Sequence, residues 1–230
     1  MGAQLSTKKS KSYSFPSEKP ILVYWDLCGR GDIAKCLLYA GNIEYVLDTE
    51  NANSWPAYKE KCPFGQLPVF LHGESLVLAQ GGAINRYCAR LGGLYPENPQ
   101  DASFCDMIIE ECMDIFSGLF KAKNASDKEA KLAAWAAIKN EHLPTHFGYL
   151  EKIIEASGKP FFGGDKANAA DVTFFAVYGV FDNATCGAEE VLKNYPKLKA
   201  AYEGTKATGK LAEFKRGGHY FSADPENGAF

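Results

Sequence analysis

The stretch from Lys61 to Phe70, KCPFGQLPVF, constrains the fold of this chain more than any other part of the sequence. Pro63 and Pro68 bracket a Gly-Gln-Leu turn, and the apolar run Val69–Leu71 begins directly after it. Because proline cannot donate a hydrogen bond to a sheet, Pro68 fits only at the first residue or at an edge of the strand it opens. A trans bond before Pro68 predicts an ordinary strand start. A cis bond predicts a bend that leaves the backbone N–H and C=O of Leu67 free to pair with an extended peptide ligand.

Short strands and helices alternate on both sides of this stretch. A β-rich apolar run at Ile21–Trp25 is followed by a turn and then by helical spacing over Ile33–Tyr39. Glu44–Leu47 predicts a second strand, parallel to the first because a helix connects the two. The remaining elements are a segment at Trp55–Lys61, strands at Val69–Leu71 and Ser75–Leu78, and a helix at Ala83–Leu91. The order β-α-β-α-β-β-α predicts a thioredoxin-like α/β domain over residues 20–93.

Helical patterns alone fill the second half of the chain, after a linker predicted at residues 94–100. The long pattern Asp127–Ser157 must be interrupted or kinked at Pro144. Asn168 predicts an N-cap, with Asp171 bonding back to it in a variant of the capping box. The other predicted helices are Ala102–Phe120, the apolar run Val172–Phe181, Leu192–Tyr202 and Leu211–Phe214. These patterns predict an all-α helical domain over residues 101–230, ending in irregular structure.

The composition argues against several classes of function. A net charge of −3 and the lack of a basic stripe give no reason to expect a nucleic acid partner. No apolar run is long enough to span a bilayer. The cysteines form neither a CxxC pair nor a metal-ligand spacing, so no metal site is predicted from them. Their odd number, without a secretory leader, predicts free thiols in a reducing, cytoplasmic compartment.

Residues 1–19 differ from the rest of the chain, because they are rich in serine and lysine and have no apolar periodicity. They predict a disordered tail. The opening MGAQLS matches the N-myristoylation pattern, with Gly2 as the acceptor. One acyl chain binds membranes only weakly, so Lys8, Lys9 and Lys11 would supply the second, electrostatic attraction to a membrane surface. A plain flexible tail is the alternative.

A set of short motifs, spread from about Pro20 to about Phe214, carries a family resemblance. The motifs are Tyr24 with Gly29-Arg30, Trp55-Pro56, Pro63–Pro68, Gln80, Ala83-Ile84 with Arg86-Tyr87, Asp106-Met107-Ile108, and Ala170-Asp171. On these residues the chain resembles a cytosolic glutathione transferase, most closely of the sigma class, which includes glutathione-dependent prostaglandin D synthase. The resemblance implies a thioredoxin-like domain, a helical domain, a homodimer, and glutathione as co-substrate for a small electrophilic substrate.

The resemblance also implies a role for each site residue. Tyr24 would donate a hydrogen bond to the glutathione sulfur and lower the pKa of the thiol, with Arg30 strengthening the field. Leu67, held next to Pro68, would pair with the cysteinyl backbone. Taken alone, a strand tyrosine such as Tyr24 is more often a packing residue. The remaining implied contacts to glutathione are Trp55, Lys59, Gln66 and Gln80, together with Asp114 reaching across the dimer.

The sequence departs from the family pattern at three places. Gly81 stands where a serine is usual, which leaves a helix N-terminal N–H for the γ-glutamyl carboxylate and predicts binding weaker by roughly 1.5–3 kcal/mol. Cys28 replaces a common arginine and, at a helix start, suggests a reactive thiol. Glu110 and Asp114 match two Mg²⁺ ligands of prostaglandin-isomerising members, but Met113 occupies another liganding position. No metal site is therefore predicted.

Three functions are consistent with these observations. The leading one is attack of a Tyr24-stabilised glutathione thiolate on an electrophile, in conjugation, isomerisation or peroxide reduction. The second is a non-catalytic, glutathione-binding or membrane-tethered scaffold of the same fold, and the third is a thiol oxidoreductase that uses Cys28. The electrophile pocket would come from the helical domain and the C-terminus, with Phe116, Phe120 and Phe230 as candidates.

Overall fold

A four-stranded mixed sheet forms the centre of the first domain in the computed structural model, which describes residues 15–223. Four of the strands in the described residues form this sheet, and β2 and β6 form a separate pair. The strands are β1 (Ile21–Val23), β2 (Leu27–Cys28), β3 (Val46–Asp48), β4 (Val69–His72), β5 (Leu76–Ala79) and β6 (Gly218–His219). The sheet has the order β3-β1-β4-β5, with β1 parallel to β3 and antiparallel to β4. Both the predicted parallel pair and the predicted β4–β5 hairpin are confirmed.

Helices α1 (Gly31–Ala40), α2 (Thr49–Asn53) and α3 (Gly81–Leu91) complete this domain. Successive residues of a strand point to opposite faces of the sheet. Leu22 and Phe70 therefore belong to the main apolar core with α1 and α3, whereas Val23 and Val69 belong to a smaller core on the other face. The predicted segment Trp55–Lys61 contains a 3-10 turn at Ala57–Lys61, whereas α2 before it was not predicted. The thioredoxin-like order is confirmed.

The second domain is built from helices around α7, whose residues from Ala169 to Phe181 are all buried. Its helices are α4 (Pro99–Lys123), α5 (Lys128–Ala137), α6 (Leu143–Ser157), α7 (Ala169–Asn183), α8 (Ala188–Leu192) and α9 (Pro196–Thr205). The predicted capping box is confirmed, since Asn168 and Asp171 cap each other's backbone at the start of α7. Helix α7 packs against both α4 and α1, so it joins the two domains.

Several boundaries differ from the sequence prediction. A π-helical turn, Ile138–His142, interrupts the long α5–α6 pattern just before Pro144. The predicted helix Leu192–Tyr202 is broken, because Pro196 starts a new helix and the residue before a proline disfavours helical geometry. Helix α4 begins at Pro99, inside the predicted linker, since the Asn98 side chain accepts from the backbone N–H groups of residues 100 and 101.

Residues 15–19, predicted as the end of a disordered tail, lie against the β4–β5 hairpin. The Phe15 ring meets the Tyr87 ring edge-on at 5.5 Å between centroids. His72 Nε2 lies 2.9 Å from the backbone oxygen of Glu18, and His72 Nδ1 lies 2.8 Å from the Tyr87 hydroxyl. Contacts with the first domain therefore include residues 15–18, which precede the predicted domain start at residue 20. The predicted acylation site Gly2 and its neighbouring lysines lie outside the described residues.

All of the cysteines are buried and unpaired, which confirms the prediction of free thiols. Of the helices found in residues 15–223, none combines the length and the apolar character needed to cross a membrane.

Candidate functional site

A cleft of about 370 Å³ lies where the end of β1, the loop before β4 and the start of α3 face the helical domain. The predicted site residues that line it are Tyr24, Arg30, Trp55, Gln66, Leu67, Pro68, Gln80 and Gly81. Residues 40 or more positions apart in the sequence are thus brought to one surface by the thioredoxin-like topology. The volume lies within the range of small-molecule sites in proteins.

Tyr24 follows β1 and its ring packs flat over the start of α1. Only 4% of the residue is exposed, and a Cβ atom placed on Gly31 would lie 2.3 Å from a carbon of the ring. The phenol oxygen faces the backbone N–H groups of Arg30 and Gly31. Burial raises the pKa of Tyr24 to about 12, although these N–H groups act in the opposite direction. The phenol therefore stays protonated at neutral pH and acts as a hydrogen-bond donor.

The position of this hydroxyl sets where a negative charge would be stabilised. Free N–H groups at the start of a helix carry a partial positive charge. Because the N–H groups of Arg30 and Gly31 face its lone pairs, the hydroxyl of Tyr24 is left to donate its proton to another acceptor. An anion at this end of the cleft would receive that hydrogen bond and the field of α1 together.

The bond between Leu67 and Pro68 is cis, which decides between the two alternatives left open by the sequence. Among the described residues, neither backbone polar group of Leu67 takes part in a backbone hydrogen bond. Pro68 itself is buried at the start of β4, while Leu67 lines the cleft. The backbone of Leu67 is therefore available to pair with an extended peptide.

Arg30 is exposed, and its side chain packs against the ring of Phe120 instead of contacting Tyr24 as the resemblance implied. Its Cζ atom lies 4.6 Å from the ring centroid of Phe120 and 5.8 Å from that of Phe116. Within the described chain the guanidinium donates no hydrogen bond to Tyr24, and it is the backbone N–H of Arg30 that faces the phenol. The charge of Arg30 lowers the pKa of Tyr24 much less than burial raises it.

Two predicted residues do not line the cleft of this chain. Lys59 is exposed and lies along Gly65, where an added Cβ would be 3.1 Å from Lys59 Cε. Asp114 is exposed on α4. At Gly81, the first departure from the family pattern, an added Cβ would meet no atom within 4 Å. The space that a serine side chain would occupy is therefore open.

The sequence predicted that the helical domain and the C-terminus would contribute to the pocket, and Phe120 does line the cleft, but it did not predict the contribution of Tyr220 and Phe221. Strand β6 pairs in parallel with β2, and this brings Tyr220 and Phe221 into the cleft beside Phe120. Phe116 lies behind them, fully buried, and Phe230 lies outside the described residues. The available sequence signal was the pair Gly217-Gly218 before two aromatic residues, because glycine often marks a close backbone approach. An added Cβ on Gly217 would lie 2.5 Å from the backbone of β2's neighbour Asp26.

A buried ionic cluster holds the C-terminal segment that contains Arg216 against α1. Arg216 Nη1 lies 3.1 Å from Asp32 Oδ2, and Lys35 Nζ lies 3.4 Å from Asp32 Oδ1. Arg216 also donates to the backbone oxygens of Phe175 and Ala176 in α7. Asp32 is completely buried, so its charge depends on these partners. Since 184 positions separate Asp32 from Arg216, no local pattern could reveal the pair.

Cys28 is not placed to act as a nucleophile. It is 1% exposed, and burial, with the nearby charge of Asp32, raises the pKa of its thiol above the usual range. A reactive cysteine needs access and a lowered pKa. The alternative of a Cys28-dependent oxidoreductase is therefore wrong.

Of the two acids compared with Mg²⁺ ligands, Glu110 is paired with Arg86 and Asp114 is exposed on α4. Arg86 forms ion pairs with Asp106 at 2.8 Å and with Glu110 at 2.5 Å. Across residues 15–223, no group of three or more His, Cys, Asp or Glu side chains is arranged to hold a metal ion.

Comparisons with known proteins identify the family of this chain. The model of the glutathione S-transferase N-terminal domain matches residues 21–90, and that of the C-terminal domain matches residues 113–216. Glutathione S-transferase 1 of Ascaris suum is 32% identical over 158 residues, which are 66% of this chain and 74% of that protein. S-crystallin SL11 of Nototodarus sloanii is 27% identical over 195 residues, 84% of this chain and 93% of that protein.

A solved structure of prostaglandin synthase D of Nilaparvata lugens shares the fold. Its TM-score is 0.72 at 22% identity, covering 85% of this chain and 96% of that one. The family models account for both halves of the chain, and the Ascaris relative is aligned over most of its own length. The chain therefore belongs to the glutathione S-transferase family and is a glutathione transferase.

Proposed function

We propose that this protein catalyses the attack of glutathione thiolate on a small electrophile, and that the Tyr24 hydroxyl stabilises the thiolate. One observation carries the proposal: a buried, protonated phenol lies in the cleft with backbone N–H groups facing its oxygen. A cysteine thiol has an ordinary pKa of about 8.5, so only a few per cent is ionised at neutral pH. Each unit by which a hydrogen bond lowers that pKa corresponds to about 1.4 kcal/mol of thiolate stabilisation.

In this proposal glutathione lies along the first-domain wall of the cleft. The free backbone groups of Leu67 pair with its cysteinyl residue, and the side chains of Gln66 and Gln80 bind its remaining polar groups. The N–H at Gly81, the first residue of α3, binds the γ-glutamyl carboxylate. Trp55 lines the glycyl end. Lys59, exposed at the edge, offers its charge to the glycyl carboxylate.

We extend the proposal to a homodimer of the sigma-class type, in which Asp114 contacts glutathione bound to the other protomer. Large apolar side chains remain exposed near that helix and the cleft loop: Phe64 at 65%, Met107 at 50% and Phe104 at 37%. Exposed apolar side chains are commonly covered by a partner. Light scattering should give twice the mass of one chain, and a stable monomer at micromolar concentration would overturn this part.

The N-terminal tail adds a separate proposal, that acylation of Gly2 and the nearby lysines hold the enzyme at a membrane surface. The MGAQLS motif and the neighbouring lysines of the sequence support it. Co-expression with an N-myristoyltransferase should move the protein to membranes, and Gly2→Ala should return it to the supernatant. An unchanged membrane fraction in the Gly2→Ala variant would remove the lipid proposal.

The central test replaces Tyr24 by phenylalanine. Loss of a hydrogen bond to a charged group costs about 1.5–3 kcal/mol, so kcat/KM for 1-chloro-2,4-dinitrobenzene should fall roughly 10- to 100-fold. The apparent pKa of glutathione in the pH–rate profile should rise at the same time. Tyr39→Phe is the matched control, because Tyr39 loses the same hydroxyl but does not line the cleft. An unchanged rate and an unchanged pH profile in Tyr24→Phe would contradict the proposed role.

A further inference from the structure

The cleft wall opposite the Leu67 loop is a row of aromatic rings. One cation, Arg30, lines the cleft with them, and a second, Lys123, lies beside the row in contact with Tyr220. The aromatic row consists of Phe120, Phe221 and Tyr220, with centroids 5.6 Å apart for the first pair and 4.8 Å apart for the second. Arg30 lies over Phe120, with Cζ 4.6 Å from its centroid. Lys123 lies over Tyr220, with Nζ 3.7 Å from that centroid, and hydrogen-bonds its hydroxyl.

Neither cation is neutralised. Within residues 15–223, no carboxylate lies within ion-pair distance of Arg30 or Lys123. The described residues that line the cleft include no aspartate or glutamate. Other basic side chains, such as Arg86 and Arg216, are paired with acids. Among residues 15–223, therefore, no acid compensates the positive charge of Arg30 and Lys123.

The geometry of both cations leaves donors for a ligand. A guanidinium stacked on a ring keeps its N–H edge free, and that edge matches a carboxylate in two parallel hydrogen bonds. The ammonium of Lys123 has three donors, of which one goes to Tyr220. Lys123 is half-buried, so an anion in contact with it would be less screened than one at the open surface.

We propose that this wall selects electrophiles that carry a carboxylate on an aromatic or unsaturated body. The body lies on the aromatic row and the carboxylate contacts Lys123 and Arg30, while the electrophilic carbon faces the sulfur of glutathione. The inference rests on the proposed function, because it assigns the substrate class of the same cleft. It is separable from the assignment of the glycyl carboxylate of glutathione, which lies on the opposite wall near Trp55.

The test compares an acid with its uncharged twin, 4-chloro-3-nitrobenzoate with 4-chloro-3-nitrobenzamide. In both reactions the glutathione sulfur forms a bond to the carbon that bears chlorine, and chloride leaves with the electron pair of the broken bond. The thiol proton passes to solvent. Each kcat/KM is divided by the rate constant of the uncatalysed reaction with glutathione thiolate, which removes the difference in intrinsic reactivity.

For the wild-type enzyme, the normalised kcat/KM should be about tenfold higher for the acid than for the amide. This acid-to-amide ratio is the effect of one charge-assisted hydrogen bond in a partly exposed site. Lys123→Met should reduce the ratio at least about threefold and Lys123→Arg should retain it. Lys121→Met is the matched control, because it removes the same charge from the exposed side of α4, outside the cleft, and should leave the ratio unchanged. A wild-type ratio near one, or an equal loss in Lys121→Met, overturns the inference.

Two further measurements separate this inference from the proposed function. Turnover of the neutral 1-chloro-2,4-dinitrobenzene reports thiolate attack alone, and its absence would refute the proposed function. Calorimetry with the two products, S-(4-carboxy-2-nitrophenyl)glutathione and its carbamoyl analogue, needs no turnover. Tighter binding of the carboxylate product, lost in Lys123→Met, supports the anion site in either case. Equal dissociation constants for the two products overturn it.

Discussion

Replacing Gly81 by serine should strengthen glutathione binding. Gly81 is the first residue of α3, and an added Cβ there would meet no atom within 4 Å. Its backbone is outside the left-handed region that favours glycine, so a serine fits without strain. The new hydroxyl would stand beside the N–H that receives the γ-glutamyl carboxylate in the proposed complex. Two donors would then share an anion that is now held by one at this position.

The size of the gain follows from the exposure of the position. A hydrogen bond to a charged group contributes about 1.5–3 kcal/mol when it is shielded from water. Gly81 is half-exposed, so solvent will reduce the gain, and we expect about 1–2 kcal/mol. Because each 1.4 kcal/mol is a factor of ten, the dissociation constant of glutathione should fall by about 5- to 30-fold.

Calorimetry with S-methylglutathione measures this change without turnover or thiol oxidation. Gly81→Ala is the matched control, because it removes the same backbone freedom and adds the same Cβ without a donor. If the serine and alanine variants bind equally well, the hydroxyl contributes nothing. Weaker binding by the serine variant would show that the γ-glutamyl carboxylate does not lie at the start of α3, and the proposed pose would be wrong.

Three further predictions concern the surroundings of the phenol. The pKa of Tyr24 is about 12, so its hydroxyl stays protonated below that value. In a stopped-flow profile, kcat/KM should therefore rise with pH through the pKa of the glutathione thiol and then stay level up to about pH 10. Gly31→Ala should displace the Tyr24 ring, since the new Cβ would lie 2.3 Å from a ring carbon, and should lower kcat at least about tenfold while calorimetry still detects glutathione binding. Arg216→Met should remove one of the two cationic partners of the buried Asp32, leave only Lys35, and lower the free energy of unfolding in urea by about 3–5 kcal/mol. Lys193→Met, which breaks an exposed ion pair, should change it by less than about 1 kcal/mol, and equal losses would refute the argument.

The parts of the structure that local patterns can specify were predicted correctly. The alternation of strand and helix around residues 20–93 and the capping box at Asn168 depend on neighbours a few positions apart. The residues of the first-domain wall were predicted through the family resemblance, and Tyr24, Leu67 and Gly81 do line the cleft. Where a rule about proline applied locally, as at Pro196, the observed break also follows from the sequence.

The opposite wall was not predictable, because it depends on long-range pairing. The pair Gly217-Gly218 indicates a close backbone approach but does not identify β2 as the partner, and nothing near Asp32 indicates a partner in the last part of the chain. The direction of the Arg30 side chain also could not be predicted from the sequence. Its position at the start of α1 is local, but its contact with Phe120 depends on how α4 packs against the first domain.

The pairing of β6 with β2 divides the two tasks of the enzyme between distant parts of the gene. The thiol-activating half of the cleft is encoded in the first third of the chain, whereas Tyr220 and Phe221 come from its end. Exchange of the short segment after Arg216 can therefore change the substrate preference. The ion pair between Asp32 and Arg216 would hold the new segment in the same position. Libraries confined to the residues after Arg216 would explore specificity without disturbing the phenol.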